Sequence, residues 1–489
     1  MKAIRMMCKL RKKRPTTRCN YNVSPHIGGP GLRTGVSFFL CPGNGTIRHI
    51  MNLQIGVCEL KKFGFWKRKV SLALVFAMLQ VSFLHIFAVT ALAADGEPEL
   101  DVKSAILMEA STGQILYEKN ADEVLPPASM SKMMTEYLVM EAIHNGKLKW
   151  EDTATASKYA ASAIGSGQLI AEGETLTIKD LFYAMSIYSS NDASIVLAEK
   201  LGGSEEGFAK LMNDKAKELG MSDKAQFINA TGLSRADIKE NAPKSIQGET
   251  VMSAKDVAIL ARHLVTEHKE VLEYTKVPSK KLRESDKSPM INYNWMLEGN
   301  SSNVNFKKYA YQGLDGLKTG HTDEAGYCFT GTAERNGMRL ISVVMGAKTE
   351  PERFIQTRKV LDYGFTNFEF KTLAKAGTAL DAQKTVPITK GVELEAPAVL
   401  KNDVAFAVKK GSADAKLETK VDLLAADKLV APLKKGDKLG TATLSFGKNS
   451  ETVDLVAEND MEKAGWFRMM MRAIKNLFAD LFNGVKGLF

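Results

Sequence analysis

Ser129 and Lys132 are the residues of this sequence whose types and spacing most directly suggest covalent chemistry. They follow Pro126 and Pro127, and the apolar residues after them recur at helical spacing, which predicts a helix starting near Ser129. Residues three apart on a helix share a face, so the lysine amine would lie beside the serine hydroxyl. A serine is a weak nucleophile until a base takes its proton, and a buried lysine with a lowered pKa can be that base. The N-terminus of the helix would also stabilise a developing oxyanion.

Spacing alone does not establish this chemistry, because Ser445 and Lys448 have the same separation in a stretch predicted to be strand and turn. Two further motifs strengthen it, Ser189-Ser190-Asn191 and Lys318-Thr319-Gly320. Alone, the first could be a helix-capping loop and the second an ordinary strand end. Together and in this order, the three motifs form the set used by serine β-lactamases and penicillin-binding proteins. They would stand at a helix start, an interhelical loop and a strand edge.

The elements that must position these motifs are strands at both ends of a domain and helices between them. A hairpin is predicted around Ser111-Thr112-Gly113, and a second around Arg335-Asn336-Gly337. Helices are predicted to open at the N-caps Thr177 and Ser253. This order predicts an α+β domain with a mixed-order antiparallel sheet.

Two other segments follow that domain. Residues 371–456 alternate in short runs between Lys-Gly and Gly-Asp turns, which predicts an all-β sandwich without His or Cys. Residues 463–489 have apolar and aromatic residues on one helical side and Arg468, Arg472 and Lys475 on the other. This pattern favours a basic amphipathic helix on a membrane surface, the alternative being a helix packed on the protein's own core.

The N-terminal region accounts for the charge and most of the cysteines. Of the 66 basic and 56 acidic residues, 51 and 55 lie after residue 93, so that part of the chain has a net charge of −4. The net charge of the chain is therefore no argument for nucleic-acid binding. Residues 61–93 read as a secretory signal peptide ending in Ala91-Leu92-Ala93, the alternative being an uncleaved anchor. Residues 1–60 resemble no domain, and we expect 1–50 to come from a misassigned start codon. Only Cys328 remains after cleavage, so neither a disulfide framework nor a Cys/His metal cluster is expected.

The chain resembles the D-alanyl-D-alanine carboxypeptidases, the low-molecular-mass penicillin-binding proteins of peptidase type S11, and is Bacillus-like among them. The resemblance runs from about residue 95 to the end, including the trailing β domain and amphipathic helix that β-lactamases lack. The matching stretches are residues 126–135, 229–233, 315–322 and 330–333.

The resemblance implies a role for each motif residue. Ser129 would form the acyl-enzyme, Lys132 would be its base, and Ser189 would relay protons to the leaving D-alanine nitrogen. Asn191 would hold the substrate's peptide carbonyl, and Lys318, helped by Thr319, its terminal carboxylate. The backbone N–H groups of Ser129 and His321 would form the oxyanion hole. The implied substrate-binding set is Asn191, Lys318, Thr319, Gly320 and His321. A Ser-His triad through His321 is a weaker alternative, because no acid partner is evident.

The implied organisation is an extension (1–60), a signal peptide (61–93), a transpeptidase-like catalytic domain of the serine β-lactamase and penicillin-binding-protein type (94–369), a β-sandwich (370–458) and a membrane-anchoring helix (459–489). The implied function is removal of the terminal D-alanine from peptidoglycan pentapeptides at the outer face of the cell membrane, with β-lactam antibiotics as inhibitors and without cofactor or metal. Two alternatives stay open. One is a non-catalytic penicillin sensor or wall-binding scaffold, and the other a β-lactamase, which would need a deacylating Glu.

Overall fold

The computed structural model describes residues 96–412 and 416–486, with side chains described through Phe478. The predicted extension (1–60) and signal peptide (61–93) lie outside the described residues. The strands of the first domain are β1 (Ser104–Glu109), β2 (Ile115–Lys119), β3 (Val124–Leu125), β4 (Thr153–Thr155), β5 (Thr175–Thr177), β6 (Met252–Ser253), β7 (Ser279–Lys280), β8 (Met290–Ile291), β9 (Leu314–Thr322), β10 (Gly326–Arg335) and β11 (Met338–Ala347). Its helices are α1 (Lys132–His144), α2 (Lys158–Ala161), α3 (Ile178–Tyr188), α4 (Asn191–Gly202), α5 (Glu205–Glu218), α6 (Arg235–Ile238), α7 (Ala254–Glu267), α8 (Leu272–Thr275) and α9 (Glu350–Asn367). Short 3-10 turns lie at Ala128–Ser131, Lys239–Asn241, Lys269–Val271 and Glu298–Ser302.

The central sheet has the antiparallel order β2-β1-β11-β10-β9. Its first and last strands along the chain lie side by side, as shown by the pairing of Ile106 with Val343. Both predicted hairpins are present, since β1 pairs with β2 and β10 with β11. The predicted α+β sheet is therefore confirmed, and β9, which carries the Lys-Thr-Gly motif, is its edge strand.

Helices cover both faces of this sheet. Alternate residues of β1 enter two separate apolar clusters, with Ile106 among the interior helices and Leu107 on the side of α9. Because successive strand residues point to opposite faces, a strand that is buried throughout must be covered on both sides. The two predicted helix starts are also correct, because the Thr177 and Ser253 hydroxyls accept the backbone N–H of Asp180 and Asp256.

The second domain is all-β. Its strands are β12 (Phe368–Ala374), β13 (Thr385–Pro387), β14 (Glu395–Leu400), β15 (Val404–Lys409), β16 (Glu418–Leu423), β17 (Lys438–Phe446) and β18 (Asn449–Ala457). One sheet pairs β12 with β15, and the other has the order β13-β14-β18-β17-β16 around a separate apolar core. A side-chain amide joins the two domains, since Gln114 donates to the Ala407 carbonyl at 3.0 Å and accepts from the Ala407 N–H at 3.1 Å.

The chain ends in α10 (Trp466–Lys486). Its large apolar side chains are solvent-exposed, including Trp466 at 73% and Leu477 at 68%. On its cationic side, Arg472 donates to the carbonyls of Gly391 and Val392 at 2.6 and 2.7 Å. Over the described part of the chain, no helix combines the length and the apolar character needed to cross a membrane.

Candidate active site

Ser129 lies in the 3-10 turn Ala128–Ser131, and the α-helix begins only at Lys132. The expected α-helix from Ser129 is thus tighter at its start, and in a 3-10 turn residues three apart are eclipsed. The Lys132 Nζ donates to the Ser129 Oγ at 2.8 Å. Ala128, just before the serine, has φ +49°, a left-handed conformation that non-glycine residues adopt mostly where the surrounding structure imposes it.

The Lys132 side chain is fully buried, and its amine donates to three hydrogen-bond acceptors. Besides Ser129, these are the Asn191 Oδ1 at 2.7 Å and the Thr231 carbonyl at 2.8 Å. Burial, followed by the charge of nearby Lys318, holds the pKa of Lys132 well below its usual value. A lowered pKa favours the neutral amine, which is the form that accepts a proton.

The Thr231 carbonyl is positioned by a tight loop. The Asn229 Oδ1 accepts the backbone N–H groups of Thr231 and Gly232 at 3.0 and 2.7 Å, closing an Asx turn. Gly232 has φ +79°, and a Cβ there would lie 2.1 Å from the Ala128 carbonyl oxygen. The loop therefore packs against the 3-10 turn Ala128–Ser131, the nucleophile turn, as closely as glycine permits.

Ser189 and Asn191 flank the break between α3 and α4. Ser189 ends α3 with φ +60°, and its buried Oγ has no hydrogen-bond partner among the described residues. The Asn191 side chain is occupied at both ends, because its Nδ2 donates to the Ile164 carbonyl at 2.6 Å. Holding a substrate carbonyl would require Asn191 to exchange that bond.

Lys318, Thr319 and Gly320 lie in the edge strand β9, next to the nucleophile turn. The Lys318 side chain is 1% exposed, and its Nζ donates to the Thr319 carbonyl at 3.3 Å. Burial lowers the pKa of Lys318 to about 8, so it still carries its proton at neutral pH. A Cβ on Gly320 would lie 2.6 Å from the Pro127 carbonyl oxygen, so glycine lets the strand approach the turn.

His321 is exposed and its ring stacks on Tyr327 with the centroids 4.0 Å apart. Within the described part of the chain, its ring forms no hydrogen bond with a carboxylate or with Ser129. This arrangement gives no support to a Ser-His triad, whereas Lys132 contacts the serine directly.

Sequence reasoning missed two buried charged residues near these motifs. Arg353, on α9, is 3% exposed and donates to the Gly320 carbonyl at 3.4 Å, and burial lowers its pKa to about 10. Glu136, one turn after Lys132 on α1, is fully buried, and neither carboxylate oxygen has a hydrogen-bond partner among the described residues. Its i+4 spacing from Lys132 was the available signal.

Glu136 is the acidic member of a group of buried charges. Burial raises its pKa to about 7, while the Ser186 hydroxyl and the charges of Lys318 and Lys132 oppose that rise. In return, the Glu136 carboxylate raises the pKa of both lysines. Protonation of the two buried lysines therefore depends on this carboxylate.

The structure thus brings Ser129, Lys132 and Asn191 into hydrogen-bond contact and places the β9 motif against the same turn. Ser189 adjoins them through the interhelical break, and the His321 ring points outward. Among the described residues, the one set of three neighbouring metal-ligand side chains is His144, His268 and Glu270, which includes no residue of this site.

Two family models match the chain. Residues 91–349 match the D-alanyl-D-alanine carboxypeptidase model of peptidase family S11. Residues 368–463 match the C-terminal domain of penicillin-binding protein 5.

Individual proteins agree with these matches. The chain is 36% identical over 413 residues to the D-alanyl-D-alanine carboxypeptidase DacF of Bacillus subtilis, covering 83% of this chain and 98% of that one. A peptidoglycan synthesis regulatory factor (PBP3) from Streptococcus pneumoniae superposes with a TM-score of 0.65 at 32% identity, covering 75% of this chain and 100% of that one. Penicillin binding protein 5 from Haemophilus influenzae superposes with a TM-score of 0.59 at 28% identity, covering 75% and 99%.

Proposed function

The chain belongs to the D-alanyl-D-alanine carboxypeptidase family of serine peptidases, and we propose that Ser129, Lys132 and Lys318 carry out its reaction. It is a serine-type carboxypeptidase that removes the terminal D-alanine from peptidoglycan stem peptides through an acyl-enzyme. The observation that carries the residue assignment is the 2.8 Å contact between the Ser129 Oγ and a fully buried lysine amine. A buried amine of lowered pKa next to a hydroxyl is the arrangement that activates a serine.

In the acylation step, neutral Lys132 takes the Ser129 proton as Oγ attacks the carbonyl of the penultimate D-alanine. The new ester bond forms as the C–N bond breaks, and the leaving D-alanine nitrogen receives a proton through Ser189. Backbone N–H groups of Ser129 and His321 hold the oxyanion. Water then attacks the ester, with Lys132 again as the base, and releases the shortened peptide.

Two buried cations would select the free carboxylate of the substrate. Lys318 retains its proton at neutral pH, and the Arg353 guanidinium lies close enough to lower the Lys318 pKa. An anion near both is favoured strongly because the site is largely screened from water. We assign the charge contact to Lys318 with Thr319, and a supporting electrostatic role to Arg353.

Penicillins would acylate the same serine. Their lactam carbonyl stands in for the scissile peptide carbonyl, and their carboxylate for the terminal carboxylate that Lys318 binds. The ring nitrogen stays attached after the C–N bond breaks, so the acyl-enzyme persists and the antibiotic inhibits.

The decisive experiment measures D-alanine released from a diacyl-D-Ala-D-Ala peptide, alongside labelling by a fluorescent penicillin. Stoichiometric labelling with catalytic release of D-alanine is expected. Labelling without release would instead indicate a penicillin sensor. Rapid hydrolysis of penicillin would indicate a β-lactamase.

We also propose the division into a catalytic domain (94–369), a β-sandwich (370–458) and an anchoring helix (459–489) in an exported protein. The exposed apolar side chains of α10 support attachment to the outer face of the cell membrane, because they lie opposite the side on which Arg472 contacts the β domain. An exposed apolar side flanked by cations binds the interface of anionic bilayers.

Removal of residues 460–489 tests this anchor. The truncated protein should leave the membrane fraction and keep its activity on soluble peptides. A full-length Ile474→Glu/Leu477→Glu variant should behave likewise, because it keeps the helix length and loses the apolar side. Membrane sedimentation of both variants would contradict the proposal and indicate the 61–93 segment as the anchor.

A further inference from the structure

Three of the four histidines after residue 94 lie outside the active site: His144, His263 and His268. His144 is the last residue of α1, and His268 follows the last residue of α7. The Tyr137 ring lies edge-on to His268 with the centroids 4.7 Å apart. The catalytic reaction proposed above uses none of these groups.

The ligand atoms of two of these imidazoles and of one carboxylate lie close together. The Nδ1 atoms of His144 and His268 are 2.9 Å apart, and the Glu270 Oε1 lies 3.4 Å from the His144 Nδ1. All three ligand atoms lie within 4.8 Å of one another. Neutral imidazole nitrogen with carboxylate oxygen is a donor set that Zn²⁺ and its neighbours in the first transition series bind.

The distances fit a metal with little movement. Two nitrogens that each lie about 2.0–2.1 Å from a tetrahedral zinc are about 3.4 Å apart, so the imidazoles would need to separate by about 0.5 Å. The 3.4 Å between the Glu270 Oε1 and the His144 Nδ1 already matches this distance. The site is also open, since the side chains of His144 and Glu270 are 53% and 44% exposed, leaving room for water as a further ligand.

We propose that His144, His268 and Glu270 form a binding site for a divalent transition metal, with Zn²⁺ as the preferred ion. The bound ion would join the C-terminal ends of α1 and α7. Because α1 begins at Lys132, the metal would tie the far end of the helix that carries the catalytic base. A hydrogen bond between the two imidazoles also accounts for their 2.9 Å contact, so the experiment must separate the two explanations.

The test is calorimetric titration of chelator-treated mature protein with ZnCl₂, with MgCl₂ as the comparison. Binding of one Zn²⁺ per chain with a dissociation constant in the micromolar range is expected, together with a higher melting temperature, because the ion binds the folded form. Mg²⁺ should not bind, because it prefers oxygen ligands.

His144→Ala and Glu270→Gln test the ligands at exposed positions, where folding is little affected. Each should weaken Zn²⁺ binding at least tenfold, and the double variant should abolish it. His263→Ala is the matched control, because His263 pairs with Glu267 at 2.6 Å and contributes no ligand, so binding should be unchanged. Unchanged affinity in the folded double variant, or no binding by the unaltered protein at 100 µM Zn²⁺, would overturn the proposal.

Discussion

The chain contains the Ser-x-x-Lys pattern in two regions of opposite character. In the first domain, Lys132 is fully buried and donates to Ser129 at 2.8 Å. In the β domain, Ser445 lies in β17 opposite Ser450, and Lys448 is exposed in the turn that leads into β18. The same spacing therefore yields a contacting pair in a helical turn and a separated, solvated pair in a hairpin.

The difference shows which structural conditions a serine and a lysine at this spacing need in order to react. A helical turn aligns residues three apart, whereas strand residues alternate faces and a turn carries the chain away. Burial then lowers the pKa of Lys132, whereas Lys448 stays exposed to solvent. The following substitutions test this contrast, beginning with the largest expected effect.

Ser129→Ala should abolish D-alanine release and covalent penicillin labelling, a loss of at least about 10³-fold, because the ester cannot form. Ser445→Ala is the matched control and should match the unaltered protein in both assays. Labelling that persists in Ser129→Ala would place the nucleophile elsewhere.

Lys132→Arg should be nearly as damaging, because a guanidinium keeps the charge but cannot act as a base. Single-turnover acylation by penicillin is the direct measurement. Lys448→Arg should acylate at the normal rate. A Lys132→Arg protein with normal acylation would leave the base assignment without support.

Lys318→Ala should lower kcat/KM about 10- to 100-fold, because one charge-assisted contact to the substrate carboxylate is lost. The loss should be much smaller on a peptide with an amidated C-terminus. Equal losses on both peptides would assign Lys318 to the serine chemistry instead.

The Lys318 pKa also predicts a pH profile. With a pKa of about 8, Lys318 loses its proton as the pH rises above that value, so kcat/KM should fall there. Lys318→Arg should remove this alkaline limb, because arginine stays protonated.

Glu136→Gln should have the smallest effect on rate, a loss of several-fold, but a distinct effect on pH dependence. The Glu136 carboxylate raises the pKa of Lys318 and Lys132, so its removal should move the alkaline limb set by Lys318 and the acidic limb set by Lys132 to lower pH. Glu136→Asp should restore the original profile. A uniform loss at every pH would indicate a merely structural role.

Local signals explain which elements the sequence predicted correctly. The Asn336-Gly337 turn and the N-caps Thr177 and Ser253 act through their own backbone, so nearby residues suffice to recognise them. The three motifs likewise identified the groups that meet around Lys132, because each motif lies at an element boundary.

Other features depend on distant parts of the chain. The helix Glu350–Asn367 was not predicted, because its buried face includes Arg353, Gln356 and Thr357 and therefore lacks a clean apolar stripe. The Thr231 carbonyl contacts Lys132 through a backbone atom that any residue type would supply. Glu136 is polar by type, and only the packing around it shows that it is buried.

The buried Lys318 also affects the stability of the folded protein. The pKa of Lys318 falls from 10.5 in the unfolded chain to about 8, so between these pH values the unfolded chain binds more protons. The free energy of unfolding must then increase as the pH rises from about 8 to 10.5, and below pH 8 the full cost of a buried charge remains. At neutral pH, where the charge of Lys318 would bind substrate, this residue therefore lowers the free energy of unfolding the most. The enzyme gives up part of its stability for substrate recognition.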